Sequence, residues 1–140
     1  MSELAGACLC GAVEVKVSPK NREIGTCHCT MCRKWSGGPY MAVDCGEKVE
    51  ISAGDNLSVY KSSQWAERVF CKLCGTLIAW RLQEGGENHV SANLFEESRN
   101  FDLGMQVFID EKPANYNFLE TTKTMTGPDL FAMFAPPEES

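Results

Sequence analysis

From Gly6 to Val17 the chain reads GACLCGAVEVKV. Val13, Val15 and Val17 alternate with Glu14 and Lys16, the period-two pattern of a strand with one dry face and one wet face. Just before it, Cys8 and Cys10 form a C-x-C pair followed by Gly11, and later CKLCG supplies Cys71 and Cys74 followed by Gly75. In a C-x-x-C-G turn both sulfurs curl inward, backbone N–H groups aim at them, and glycine takes positive φ without a Cβ clash. The C-x-C pair is expected on one face of an extended strand, because residues i and i+2 share a side. Together the pairs make a complete four-cysteine set, and tetrahedral zinc there would staple two distant segments.

The core needs such help. Leu, Ile, Val and Phe supply only 30 of the 140 residues, whereas structural zinc contributes about 10–16 kcal/mol in small peptides. Short alternating or β-branched runs recur at PYMAVDC (Pro39–Cys45), KVEIS (Lys48–Ser52), LSVYK (Leu57–Lys61), ERVFC (Glu67–Cys71), TLIAWRL (Thr76–Leu82), NHVSANLF (Asn88–Phe95) and MQVFID (Met105–Asp110). Turn-rich stretches separate them. Helical pattern is confined to Thr30–Trp35 and Asp129–Phe134. Many short strands with frequent turns predict an all-β domain. Repeats and linker-like stretches are missing, so a single domain over residues 1–140 is expected.

A second group of thiols lies in TCHCTMCRKWSGG (Thr26–Gly38), where Cys27, Cys29 and Cys32 crowd into six positions. His28 sits between two of them and would point away from a metal held by its neighbours. Cys45 is the other candidate for a fourth ligand, although Met41, Val43 and Cys45 share a strand face where a cysteine often serves as a small hydrophobe. Either Cys45 closes this site, or the fourth position stays open. An open zinc on three cysteines would be a soft, electron-rich centre, better suited to a thiol ligand than to generating hydroxide.

No charged n-region or apolar h-region marks the start as a signal peptide, and no apolar run approaches the ~18 residues of a membrane span. A cytoplasmic location is therefore expected, where clustered cysteines bind metal or react rather than form disulfides. The formal charge of −6 argues against nucleic acid as a partner. Lys16, Lys20, Arg22, Arg33 and Lys34 face the single acid Glu23 between positions 16 and 34. They are either a welcome for a small anion or a solvated basic surface.

These cysteine blocks resemble the glutathione-dependent formaldehyde-activating enzyme family, which also includes the domain of centromere protein V. The resemblance runs through GACLCGAVEVKV, CHCTMCRKWSGG, SSQWAERVFCKLCGTLI (Ser62–Ile78) and VFIDEKPANY (Val107–Tyr116). It implies a zinc-pinned β-sandwich of the β-tent type, with structural zinc on Cys8, Cys10, Cys71 and Cys74 and catalytic zinc on Cys27, Cys29 and Cys32. It also implies a carbon–sulfur lyase joining glutathione and formaldehyde into S-hydroxymethylglutathione. In that setting Arg33 and Lys34 would meet the thiol's carboxylates and Trp35 would wall the pocket. Two other functions fit the same thiols: a non-catalytic zinc-stabilised interaction module, and a redox sensor that releases zinc on oxidation. Periodicity does not specify the oligomeric state.

Overall fold

The opening alternation forms strand β2 (Glu14–Val17): Val13, Val15 and Val17 are buried, while Glu14 and Lys16 face solvent. It pairs antiparallel with β1 (Leu4–Ala7) on one side and β5 (Val49–Ser52) on the other, placing Val17 opposite Leu4 and Val15 opposite Ile51. The structure is a computed structural model that describes residues 3–119 and 121–134. Its architecture is mainly β, with eleven strands and two short α-helices among the described residues.

The chain divides into two compact units, one built from residues up to 22 with 42–101, the other from 23–41 with residues from 102 onward. In the first unit, β1, β2 and β5 are joined by a second antiparallel array. Its members are β4 (Tyr40–Asp44, whose first two residues belong to the other unit), β9 (Asn88–Ser91), β8 (Leu77–Leu82), β7 (Ala66–Cys71) and β6 (Leu57–Tyr60), hydrogen-bonded in that order. Val90 lies opposite both Val43 and Ala79, and all three are buried with Val69, Ile78 and Phe95. Burial of such β-branched side chains is the main force holding this unit together.

In the second unit, β3 (Glu23–Cys27) and β11 (Lys123–Met125) flank β10 (Asp102–Val107), and both pair with it in parallel. Helix α1 (Thr30–Ser36) follows β3, and α2 (Gly127–Phe134) follows β11. No helix among the described residues is long and apolar enough to cross a membrane.

Three elements depart most from the expected boundaries. The run MQVFID stops being a strand at Val107, because Phe108 turns to φ +56° and Ile109–Glu111 forms a 3-10 turn. The run NHVSANLF stops being a strand at Ser91, and Ala92–Leu94 forms a 3-10 turn. Ala92 and Phe95 are both buried at a spacing of three, which suits a 3-10 turn and not an alternating strand. The C-x-C pair is not extended either. Cys8 to Gly11 form a turn closed by Gly11 N–H to Cys8 O, with Gly11 at φ +82°.

Candidate functional site

In the first unit the turn after β1 and the turn after β7 bring four thiols together. Cys8, Cys10, Cys71 and Cys74 place their sulfurs within 4.8 Å of one another. Cys8 and Cys10 are 3.6 Å apart, and Cys10 and Cys71 are 3.7 Å apart. A zinc tetrahedron with bonds of about 2.3 Å has sulfur–sulfur edges of roughly 3.8 Å, so the spacing fits that ion. Val13 N–H donates to Cys8 Sγ and Cys74 N–H to Cys71 Sγ. Thr76 accepts from Leu9 N–H, and its hydroxyl lies 3.1 Å from Cys74 Sγ. That hydroxyl holds the Cys74 thiol down to about 5. Cys10, despite the Ala12 backbone N–H that would lower it, is pushed up to about 11 by desolvation and the neighbouring sulfurs. The thiols resist ionising together, and a divalent cation removes that conflict.

In the second unit, β3 delivers Cys27, and Cys29 stands at the N-cap of α1 with its Sγ accepting from Cys32 N–H at 3.3 Å. Cys32 is buried in the first helical turn. Their three sulfurs also lie within 4.8 Å of one another. Hydrogen bonding to Cys29 and Cys32 pushes the Cys27 thiol far up, so this trio too suits a cation that would let all three ionise. The loop is pinned from outside: Thr30 N–H donates to Glu111 Oε1 at 2.9 Å, and His28 N–H to Val107 O at 3.1 Å. Cys45 belongs to the first unit, where its buried thiol donates to Val43 O and is pushed up to about 12, chiefly by desolvation.

His28 is fully buried. Its ring meets Tyr116 Oη through Nδ1 at 2.7 Å and Gln106 Oε1 through Nε2 at 2.8 Å. Burial lowers its affinity for a second proton. Arg33 Nε donates to His28 O at 2.8 Å, which ties the guanidinium to the thiol loop. Arg33 also lines a cavity of about 530 Å³, together with Gly37, Gly38, Tyr116 and Phe118 among others. The cavity's aromatic residues are thus Tyr116 and Phe118. Trp35 packs on Tyr40 instead, with ring centroids 5.2 Å apart, and Lys34 is exposed on the last turn of α1.

The basic residues between 16 and 34 do not act as one group. Lys20 is engaged with Asp44 at 3.7 Å and Glu87 at 3.9 Å, and the Arg22 guanidinium lies 4.9 Å from the Phe101 ring centroid. Sequence reading missed Gln106, Glu111, Tyr116 and Phe118. The signal available for the last two was ANYNF (Ala114–Phe118), in which aromatics alternate with asparagines.

Residues 3–111 match the family described as glutathione-dependent formaldehyde-activating enzyme. An uncharacterized lyase of Schizosaccharomyces pombe is 38% identical over 127 residues, covering 90% of this chain and 93% of its own. A Halomonas elongata protein provisionally named a glutathione-dependent formaldehyde-activating enzyme is 30% identical over 84 residues, 54% of each chain. A crystal structure of a Rhodobacter sphaeroides protein superposes with a TM-score of 0.57 at 26% identity, covering 66% of this chain and 88% of the other.

Proposed function

This chain belongs to the glutathione-dependent formaldehyde-activating enzyme family, and from that premise we propose that it is a carbon–sulfur lyase interconverting glutathione and formaldehyde with S-hydroxymethylglutathione. In the forward direction the thiol sulfur bonds to the aldehyde carbon, the carbonyl π bond opens, and the thiol proton ends on the new hydroxyl. Atoms and charge balance without an oxidant or reductant. The observation that carries the reading is that Arg33 joins two features of one unit. Its Nε donates to His28 O within the loop of Cys27, Cys29 and Cys32, and it lines the cavity that Tyr116 and Phe118 also line.

Cys27, Cys29 and Cys32 would hold the reactive zinc, and Cys8, Cys10, Cys71 and Cys74 a structural one. When bound to three thiolates, zinc offers a soft fourth position that favours the ionised form of an incoming thiol. The remaining work falls to the protein. Arg33 and the exposed Lys34 supply positive charge for the thiol's carboxylates, and a guanidinium already tied to the loop loses little freedom on binding. Tyr116 and Phe118 give the cavity apolar surface against the ligand chain. Holding thiol and aldehyde side by side gains proximity, the main advantage available for a reaction that also proceeds unaided.

The test is exchange NMR at equilibrium, comparing interconversion of formaldehyde and its glutathione adduct with and without protein of verified zinc content. Acceleration by the native protein, lost in Cys32→Ser, is expected. Equal rates with and without the zinc-loaded protein would reject the formaldehyde assignment.

A further inference from the structure

Strand β6 ends the antiparallel array of the first unit: it pairs with β7, and no described strand lies along its other side. The phase of its hydrogen bonds is fixed independently at two points. Lys72 N–H donates to Asn56 O at 2.7 Å, one step beyond the facing pair Leu57 and Cys71. Cys71 N–H donates the other way, to Thr76 O at 2.9 Å across the turn into β8. Peptide bonds alternate along an antiparallel ladder. Ser58 and Tyr60 therefore turn theirs toward Phe70 and Arg68 of β7, and Leu57 and Val59 turn theirs outward. Val59 and Tyr60 are 46% and 64% exposed, so this open edge carries apolar surface as well as open peptide groups.

The residues along the edge are symmetric about Ser58. They read Asp55, Asn56, Leu57, Ser58, Val59, Tyr60, Lys61, with apolar residues flanking Ser58, polar-tipped ones beyond them and opposite charges at the two ends. We propose that β6 is a homodimerisation edge, to which a second copy of this chain adds its own β6 antiparallel about a two-fold axis through Ser58. In that register Leu57 and Val59 of the second copy exchange both of their N–H···O=C bonds, and the symmetry repeats the exchange. Val59 then covers Leu57 of the other copy. Asp55, in the turn before the strand, comes opposite Lys61 of the other copy, and both are exposed. An axis through Leu57 or Val59 halves the exchange within the strand and parts the charges. An axis between two residues sets outward peptide groups against inward ones and forms no bond. A lysine at the end of an edge strand deters strands that carry no matching acid, and Asp55 supplies that match in a copy of this chain. The contact is confined to one short strand from each copy, so the dimer is expected to be weak, with a micromolar dissociation constant.

Sedimentation velocity of the full zinc-loaded chain across the micromolar range tests this. The native protein should pass from monomer to dimer as its concentration rises. Asp55→Lys sets two lysines against each other at both ends of the interface, and Lys61→Glu sets an aspartate against a glutamate. Each variant alone should dimerise roughly tenfold more weakly, because two pairs change from attraction to repulsion. An equimolar mixture of the two variants restores opposite charges at both ends and should recover the native affinity. Val59→Pro removes an outward N–H that β7 does not use, and it should abolish the dimer while leaving the circular dichroism unchanged. A native chain that stays monomeric throughout the range would overturn the proposal. So would a mixture that associates no more tightly than either charge variant alone, or a Val59→Pro dimer as tight as the native one.

Discussion

Gly6 and Gly11 stand five residues apart and are glycine for different reasons. A Cβ on Gly6 would lie 2.1 Å from the Leu94 carbonyl oxygen, a backbone atom that cannot swing aside. Gly11 has open space around it but sits at φ +82°. Gly6→Ala is therefore expected to cost about 3 kcal/mol, near the upper range for overpacking. Gly11→Ala should cost about 1–2 kcal/mol from conformation alone, and Gly11→Asn less, since asparagine tolerates the left-handed region. Denaturant titration of zinc-loaded variants measures the order. Gly11 stood out by its place after Cys10, although the turn that gives it positive φ was expected as extended strand, while Gly6 went unmarked because its constraint comes from a residue 88 positions away. Glu87 permits a second test at this scale. The hydrogen bond from His89 at 2.9 Å, with Lys20 adding to it, holds its carboxyl below the usual 4.5. A carboxylate with a depressed folded pKa contributes stability above its unfolded value and loses that contribution as pH falls through the folded one. Glu87→Gln should thus be less stable than the native protein above pH 4.5 and converge with it below, in paired denaturation curves at each pH.

Helix α1 is seven residues long and begins on a sulfur. Isolated helices this short do not persist, so its first turn depends on the Cys29 cap and on the bond from Thr30 N–H to Glu111. Capping by Cys29 and the metal binding proposed for it can be separated. Serine is a good cap and a poor zinc ligand, and alanine is neither. Cys29→Ser and Cys29→Ala should both reduce zinc from two per chain to one by colorimetric count. Cys29→Ser should keep the stability of native protein stripped at the three-cysteine site, and Cys29→Ala should fall about 1 kcal/mol below it. Equal stability of the two variants would show that the sulfur cap carries no weight. The same unit shows which elements can be read from sequence. α1 was legible over Thr30–Trp35, one residue short of its end at Ser36. β3 (EIGTC) and β11 (KTM) were not, because neither alternates, and each is a strand only through parallel pairing with β10. β1 (LAGA) escaped for a related reason, as its small residues show their value only against β2. The bonds from His28 to Gln106 and Tyr116 span 78 and 88 residues, beyond the reach of local pattern, whereas the cysteines announced themselves by spacing.

The chain passes between its two units at residues 22–23, 41–42 and 101–102, so neither unit is a continuous stretch that could be made alone. A chain threaded this way is expected to unfold as one domain, and the two thiol groups should differ in how much they contribute to that cooperativity. Cys27, Cys29 and Cys32 lie within one short loop, so an ion there restricts a segment that is already local. The four-cysteine group joins positions 61 residues apart, Cys10 to Cys71, and a link across a loop of that length removes much more freedom from the unfolded chain, about 4 kcal/mol in the chain-entropy account. It also offers four thiols to an ion where the other offers three. Titration with a zinc chelator should therefore proceed in two steps. The first equivalent of zinc should leave with loss of lyase activity and little change in the far-ultraviolet circular dichroism. The second should leave only together with a single cooperative loss of β signal and burial. Cys71→Ser should remove the second step and leave a chain that unfolds at much lower denaturant, while Cys32→Ser should remove only the first. Unfolding that accompanied release of the first equivalent, or a folded chain surviving release of both, would show that the four-cysteine group is not the staple that makes a thin core sufficient.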